Sequence, residues 1–322
     1  MSKTPVLIGN VVGQTVAMLI SPLFNGTGIK EKYFDGYRRL SAVFPDANLA
    51  RLIADQLGKD VKDRVLCETL YLIRTLVYRA DEGSAIADFS GIEYLGNLEV
   101  FRVSGHTKME QVPEQLRSLP SLRVVECSGG RLRAIPAWIF TLPRLEKLNF
   151  SEQKITDITS LIQRARRLKM LNLSHNQLDV LPEAIGRLKY LNVLDVHANP
   201  LRKLPHDVAY LTQLTHLDIS DTQISHLPVS LAFLDTLKSL NITNTNITQL
   251  DFLLQRRGRD NLRIQGERRD MEVRAYIKHE YEDDRHLSPC ALVTTSALSL
   301  LAIGAGVKYL KEKKLKGEDE AK

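Results

Sequence analysis

Four side chains have the types and spacing to share coordination or proton chemistry: Asp195 and His197, then His216 and Asp218, with the two aspartates 23 residues apart. Two carboxylates and two imidazoles could hold a divalent cation, or could make ligand binding depend on pH near histidine's ordinary value. The same residue types also serve simply to keep an exposed sheet soluble. That solubilising role is the stronger reading, with partner contact ahead of metal binding, and the pattern assigns no metal and no cofactor to the chain. Nothing else in the chain suggests catalysis. No G-x-S-x-G, H-E-x-x-H, P-loop or dinucleotide fingerprint occurs. Cys67, Cys127 and Cys290 are far apart, with no C-x-x-C, so neither a zinc site nor a disulfide framework is indicated. An enzyme would need a catalytic group outside the central region, and residues 1–90 show none. The chain is therefore expected not to be an enzyme.

The elements that carry these four residues are set by a ladder. Leu122, Leu145, Leu168, Leu191, Leu214 and Leu237 follow one another at intervals of 23 residues. A strict period of this size marks a repeat architecture. Leu168-Lys-Met-Leu171-Asn-Leu173-Ser-His-Asn176-Gln-Leu178 fits L-x-x-L-x-L-x-x-N-x-L throughout, and Leu191 to Leu201 repeats it with one conservative change. The chain reads as an α/β leucine-rich repeat solenoid, with a curved parallel sheet, a short helical or irregular convex side and an N-terminal helical cap. In each strand Leu171-type and Leu173-type residues point inward and their neighbours outward. A phrase such as Leu181-Pro182-Glu-Ala-Ile185-Gly-Arg-Leu188 supplies the return, with proline presetting the first turn. The repeat from Leu145 has Ile158-Thr159 instead. Asn176 and Asn199 can bond buried backbone groups. Gly130, Gln153, Thr222 and Thr245 interrupt that asparagine ladder, which predicts less regular packing there. Cys127 falls at an inward position and reads as a small core residue, and Trp138 in a return phrase reads as core.

Alternation places Arg102, Glu126, Lys147, Asn149, Met170, Asn172, Asp195, His197, His216, Asp218 and Asn241 on the outward, concave sheet face. These are the candidate partner-binding residues. The face is polar and nearly free of aromatics, so it offers area without an obvious anchor. The net charge of +6 is mildly basic, and no stripe of lysine or arginine with interleaved aromatics accompanies it. Nucleic acid is thus not an expected partner.

Around the array, residues 1–28 have the layout of a secretory signal peptide or an apolar N-terminal segment. Residues 29–43 read as a linker and 44–91 as a helical cap. The cap has one helix started by Pro45 and Asp46 and ended by Gly58, and a second from about Val61 to Arg79. The array covers 92–264, with a last strand near Asn261–Ile264, and 265–290 is a charged closing segment or linker. Ala291 to Val307 is uncharged, at the short limit of roughly 17 residues for a membrane span. With lysines following, 291–310 reads as a transmembrane helix and 311–322 as a charged tail that stays on the cytoplasmic side.

Phe44-Pro-Asp, the helix ending in Leu57-Gly-Lys-Asp-Val-Lys-Asp, and Phe89-Ser-Gly-Ile-Glu-Tyr-Leu-Gly-Asn-Leu98 together resemble the cap and first repeat of internalins, leucine-rich surface proteins of Gram-positive bacteria. The resemblance covers residues 44–104 closely and the array more generally. It implies an extracellular adhesion or receptor-binding role, with a protein ligand on the concave face. Internalin repeats usually lack the proline phrase, and Leu287-Ser-Pro-Cys-Ala291 stands where a sortase motif would be. The expectation is thus a monomeric, membrane-anchored cell-surface binding protein. The alternative is a cytoplasmic leucine-rich repeat scaffold, which the proline phrase and the odd number of cysteines favour.

Overall fold

A strand requires partners for its backbone, and at the N-terminal end this chain finds them twice. The computed structural model describes residues 36–80, 85–105, 109–254 and 262–266. Strands β1 (Tyr37–Arg39) and β2 (Arg64–Leu66) form an antiparallel pair. Between them lie helices α1 (Leu40–Val43) and α2 (Ala47–Leu57), and α3 (Cys67–Tyr71) follows β2. Asp46 caps α2: its Oδ1 accepts from the N–H groups of Asn48 at 2.9 Å and Leu49 at 3.0 Å. Its Oδ2 accepts from Ala87 at 2.8 Å and Asp88 at 3.4 Å. One carboxylate thereby fixes the helix start and ties it to the segment that leads into the repeats. Gly58 ends the helix at φ 61°, a conformation that glycine adopts without steric cost. Leu49, Ala50, Ile53 and Ala54 bury one face of α2 in the same apolar cluster as the repeat leucines.

Residues 37–43 are built structure, not linker, and Leu40 and Val43 are buried in the core. The stretch from Val61 to Arg79 is not one helix. It holds β2, α3 and strand β3 (Thr75–Arg79). Leu76 and Tyr78 point to the core side while Thr75, Val77 and Arg79 are exposed. Period-2 alternation with β-branched residues governs this piece, and the pairing available from the next strand overrides its helical spacing. The sheet therefore begins well before residue 92.

Strands β4 (Val100–Ser104), β5 (Val124–Ser128), β6 (Lys147–Asn149), β7 (Met170–Asn172), β8 (Val193–Asp195), β9 (His216–Asp218), β10 (Ser239–Asn241) and β11 (Arg263–Gln265) continue from β3. Together they make a nine-stranded parallel sheet in strict chain order among the described residues. Leu148, Leu171, Leu194, Leu217 and Leu240 fill the core from the strands. The return segments are 3₁₀ turns: Glu114–Ser118, Ala137–Thr141, Ser160–Arg164, Glu183–Arg187, His206–Tyr210 and Val229–Phe233. Five start after a proline. The sixth starts after Thr159, which takes φ −61° and accepts from Leu161 N–H at 3.4 Å, so threonine supplies the same geometry with a cap. Trp138 is half-buried against the core and donates to Glu114 Oε1 at 3.1 Å.

The asparagine positions show why the stack stays regular. Asn176 Oδ1 accepts from Ile155 N–H at 3.0 Å, and its Nδ2 donates to the carbonyls of Phe150, Leu173 and Ser174. Asn199 does the same for Leu178 N–H and the carbonyls of Leu173, Val196 and His197. Gln153, expected to break the ladder, continues it: it accepts from Leu132 N–H at 3.0 Å and donates to Cys127 O at 3.1 Å. Thr222 and Thr245 keep one of these bonds, each donating to the carbonyl three residues back at 2.7 Å. The expected irregularity is absent from the strand register on both sides of these positions.

Just before each of these positions the backbone turns left-handed, at Glu152, His175, Ala198, Asp221 and Asn244 with φ of 52–55°. An L side chain is disfavoured there by about 1–2 kcal/mol, asparagine and aspartate least. Three stability changes follow. Asn176→Leu should cost about 2–3 kcal/mol, since it strands buried backbone groups, while Thr222→Val should cost about 1 kcal/mol. Ala198→Gly should stabilise by roughly 0.5–1 kcal/mol through relief of the left-handed turn. Urea unfolding of the three variants checks each.

Candidate protein-binding face

The sheet presents one face to solvent, and its rows are set by the parallel register. One row runs Thr75, Val100, Val124, Lys147, Met170, Val193, His216, Ser239, Arg263. The next runs Val77, Arg102, Glu126, Asn149, Asn172, Asp195, Asp218, Asn241, Gln265. The candidate residues chosen by alternation therefore share one surface. Ten of them lie in these two rows and His197 stands two residues beyond the end of β8. Val100, Val124, Met170 and Val193 are half-exposed and give the first row an apolar stretch, with Lys147 set into it. Val77 and Arg79 extend the face at the β3 edge. The helical assignment of that stretch concealed them, although the alternation in Thr75-Leu-Val-Tyr-Arg was a readable signal.

Several charges on this side are paired. Arg102 holds Glu126 through two bonds, Nε to Oε2 and Nη2 to Oε1, the latter at 3.0 Å. At the residue before the strands, Arg74, Glu99, Arg123, Glu146 and Lys169 alternate in sign. They form successive contacts of 3.4, 3.7, 3.1 and 3.0 Å. Glu146 sits between two cations. The Lys169 hydrogen bond lowers its carboxyl below the ordinary value, burial opposes this, and Arg123 adds to the lowering. Burial pushes the Asp46 carboxyl up, but the four backbone N–H groups outweigh it and the net shift is down.

The second row carries a local motif that alternation alone does not reveal. From Asn149 to Asn241 the side-chain Oδ1 accepts from the backbone N–H two residues on: Asn149 from Ser151, Asn172 from Ser174, Asp195 from His197, Asp218 from Ser220 and Asn241 from Thr243. Where the second residue is Ser174, Ser220 or Thr243, its hydroxyl also donates to that same oxygen, at 2.6–2.8 Å. In the repeat of Asp195, His197 Nδ1 takes the hydroxyl's place at 2.7 Å. The recurring Asn/Asp-x-Ser/Thr spacing was the available sequence signal.

Asp195 and Asp218 are lateral neighbours, as the sequence implied. Ligand atoms of Asp195, His197 and Asp218 lie within 4.8 Å of one another. His216 stands apart from them, in the row of Val193 and Ser239, with Nδ1 2.8 Å from Thr215 Oγ1. In its place the structure brings His175, whose Nε2 lies 3.0 Å from His197 Nε2. Both buried cysteines, Cys67 and Cys127, are free thiols. Burial raises the Cys67 thiol and pushes that of Cys127 up to about 12, so Cys127 is the inert core residue expected.

A leucine-rich repeat region model matches residues 152–264, and a leucine rich repeat model matches residues 120–178. Internalin C2 of Listeria monocytogenes str. 4b F2365 superposes with a TM-score of 0.60 at 24% identity, over 72% of this chain and 97% of its own. InlP of Listeria monocytogenes superposes with a TM-score of 0.56 at 22% identity, over 73% of this chain and 74% of its own. This is a leucine-rich repeat protein of internalin-like fold. Curated proteins yield no match to its sequence. Among the described residues of this internalin-like array no helix is long and apolar enough to cross a membrane. The segments expected as signal peptide (1–28), membrane helix (291–310) and charged tail (311–322), and most of the closing segment 265–290, lie outside the described residues.

The two lowered carboxyls set a pH response. Their folded values lie below their unfolded ones, so their contribution is full above about pH 4–5 and is lost as pH falls through the folded values. Stability measured by urea midpoint should fall below about pH 4. Replacing both with Asp46→Asn and Glu146→Gln should flatten that fall.

Proposed function

We propose that this chain is a non-enzymatic protein-binding module that takes a protein partner on its sheet face. The carrying observation is the pair of adjacent rows. A half-exposed apolar stretch, Val100, Val124, Met170 and Val193, lies beside a polar row from Arg102 to Asn241. Apolar area beside pre-fixed hydrogen-bonding groups is what a protein interface uses. The polar groups here are already oriented by the Asn/Asp turns, so little ordering entropy is lost on binding. Extended sheet surfaces of stacked repeats are the binding surfaces such solenoids offer.

The internalin-like fold supports an adhesion or receptor-recognition role outside the cell, and the uncharged run Ala291 to Val307 followed by lysines supports an anchor at residues 291–310. Two experiments test these parts separately. A photo-crosslinking residue at Met170 or Lys147 should form adducts with a partner on target cells, and one at Arg187 or Lys189, on the 3₁₀ side, should not. Adducts confined to the 3₁₀ side would overturn the sheet-face assignment. Protease treatment of intact expressing cells should remove the array and spare a tag placed after Lys322. Protection of both would move the module to the cytoplasm, with its partner there.

A further inference from the structure

His175 and His197 come from adjacent repeats, and each arrives by an accident of its column. His197 stands where Ser151, Ser174, Ser220 and Thr243 stand in the other repeats. His175 stands at the left-handed turn, in a column with Glu152, Ala198, Asp221 and Asn244. The rings meet edge to face, with centroids 4.6 Å apart and planes at 81°. Their Nε2 atoms are 3.0 Å apart.

The Asp195 carboxylate decides what His197 can do. A carboxylate only accepts, so the 2.7 Å contact puts the proton on His197 Nδ1 and leaves Nε2 unprotonated, with its lone pair an acceptor. A carboxylate holding Nδ1–H while Nε2 faces out is the arrangement that orients metal-ligating histidines. In the free protein His175 Nε2–H donates to that lone pair. On metal binding the His175 proton moves to Nδ1 through solvent, and both Nε2 lone pairs become available without a net change in charge on either ring.

We propose that His175 and His197 form a bidentate site for a late first-row divalent ion, with Asp195 as the residue that positions His197. Two metal–nitrogen bonds of about 2.05 Å spanning 3.0 Å enclose an angle of about 94°. That is nearer the right angle of a tetragonal or octahedral ion than the ~109° of a tetrahedral one, so the geometry favours Cu²⁺ or Ni²⁺ over Zn²⁺. Water fills the remaining positions, since His175 is exposed and His197 half-exposed. Asp218 contributes little as a direct ligand. Its Oδ1 already accepts from Ser220 N–H and Oγ–H, and its Oδ2 from Asn241 Nδ2. The site does not depend on the partner reading.

The test is calorimetric titration of the full, untagged chain with NiCl₂. His175→Asn and His197→Ser are the informative variants, because each installs a residue type that the array already uses or tolerates at that place, so the stack should remain folded. Saturable binding in the micromolar range is expected. It should weaken at least tenfold in either variant, weaken about 10–100-fold in Asp195→Asn, and persist in His216→Ala. A melting-temperature rise on adding NiCl₂, lost in the same variants, is the second readout. Absence of saturable binding, or binding that survives both His175→Asn and His197→Ser, would overturn the proposal.

Discussion

The structure depends on the buried side-chain amides that bridge successive repeats. A parallel stack leaves backbone groups unpaired where each chain leaves its strand and turns, and such groups buried without partners are costly. Asn176 and Asn199 each satisfy one N–H and three carbonyls at this point, and Gln153 satisfies two groups. Because Asn176 and Asn199 each bond both their own repeat and the preceding one, while Gln153 bonds the preceding one, these amides fix the spacing between strands as well as the turn. The left-handed residue just before it is the geometric condition for this reach. Strain at Ala198 or His175 is thus tolerated by what the following asparagine gains.

From that constraint the working surface follows. A fixed spacing and register make every sheet-face position a straight row, so chemistry is written by column rather than by fold. One row supplies an apolar stretch and the next supplies turns that hold their own donors and acceptors in place. The ion pairs from Arg74 to Lys169 flank the strands in alternating sign, and exposed pairs of this kind contribute little stability individually. Their effect lies in the field they set along the rim of the face. The two histidines are departures from their columns, and the register makes those departures meet.

Much of this was legible because the repeat is physical. The 23-residue spacing and the alternation of Leu171 and Leu173 determine strand, core and outward face, and the outward residues named from alternation do share one surface. Asp46 and Gly58 announced the start and end of α2 correctly. What was not legible depended on contacts between distant residues. The Thr75–Arg79 stretch is a strand because β4 pairs with it, and its own spacing is ambiguous. Residues 37–39 pair with 64–66, which no local pattern indicates. Gln153 can replace asparagine because its longer side chain still reaches Leu132 and Cys127 across the repeat. His175 escaped notice because it belongs to the turn rather than to a strand, so alternation never placed it beside His197.

The most direct measurement is amide hydrogen exchange at Leu132, Ile155 and Leu178. These N–H groups donate to the side-chain oxygens of Gln153, Asn176 and Asn199. If bridging amides hold the stack together, these three protons should exchange as slowly as those of the neighbouring strands β6 to β8. Exchange at the rate of exposed loop amides, with the strands still protected, would show that the side-chain amides do not hold the repeats together, and the account would fail at its base.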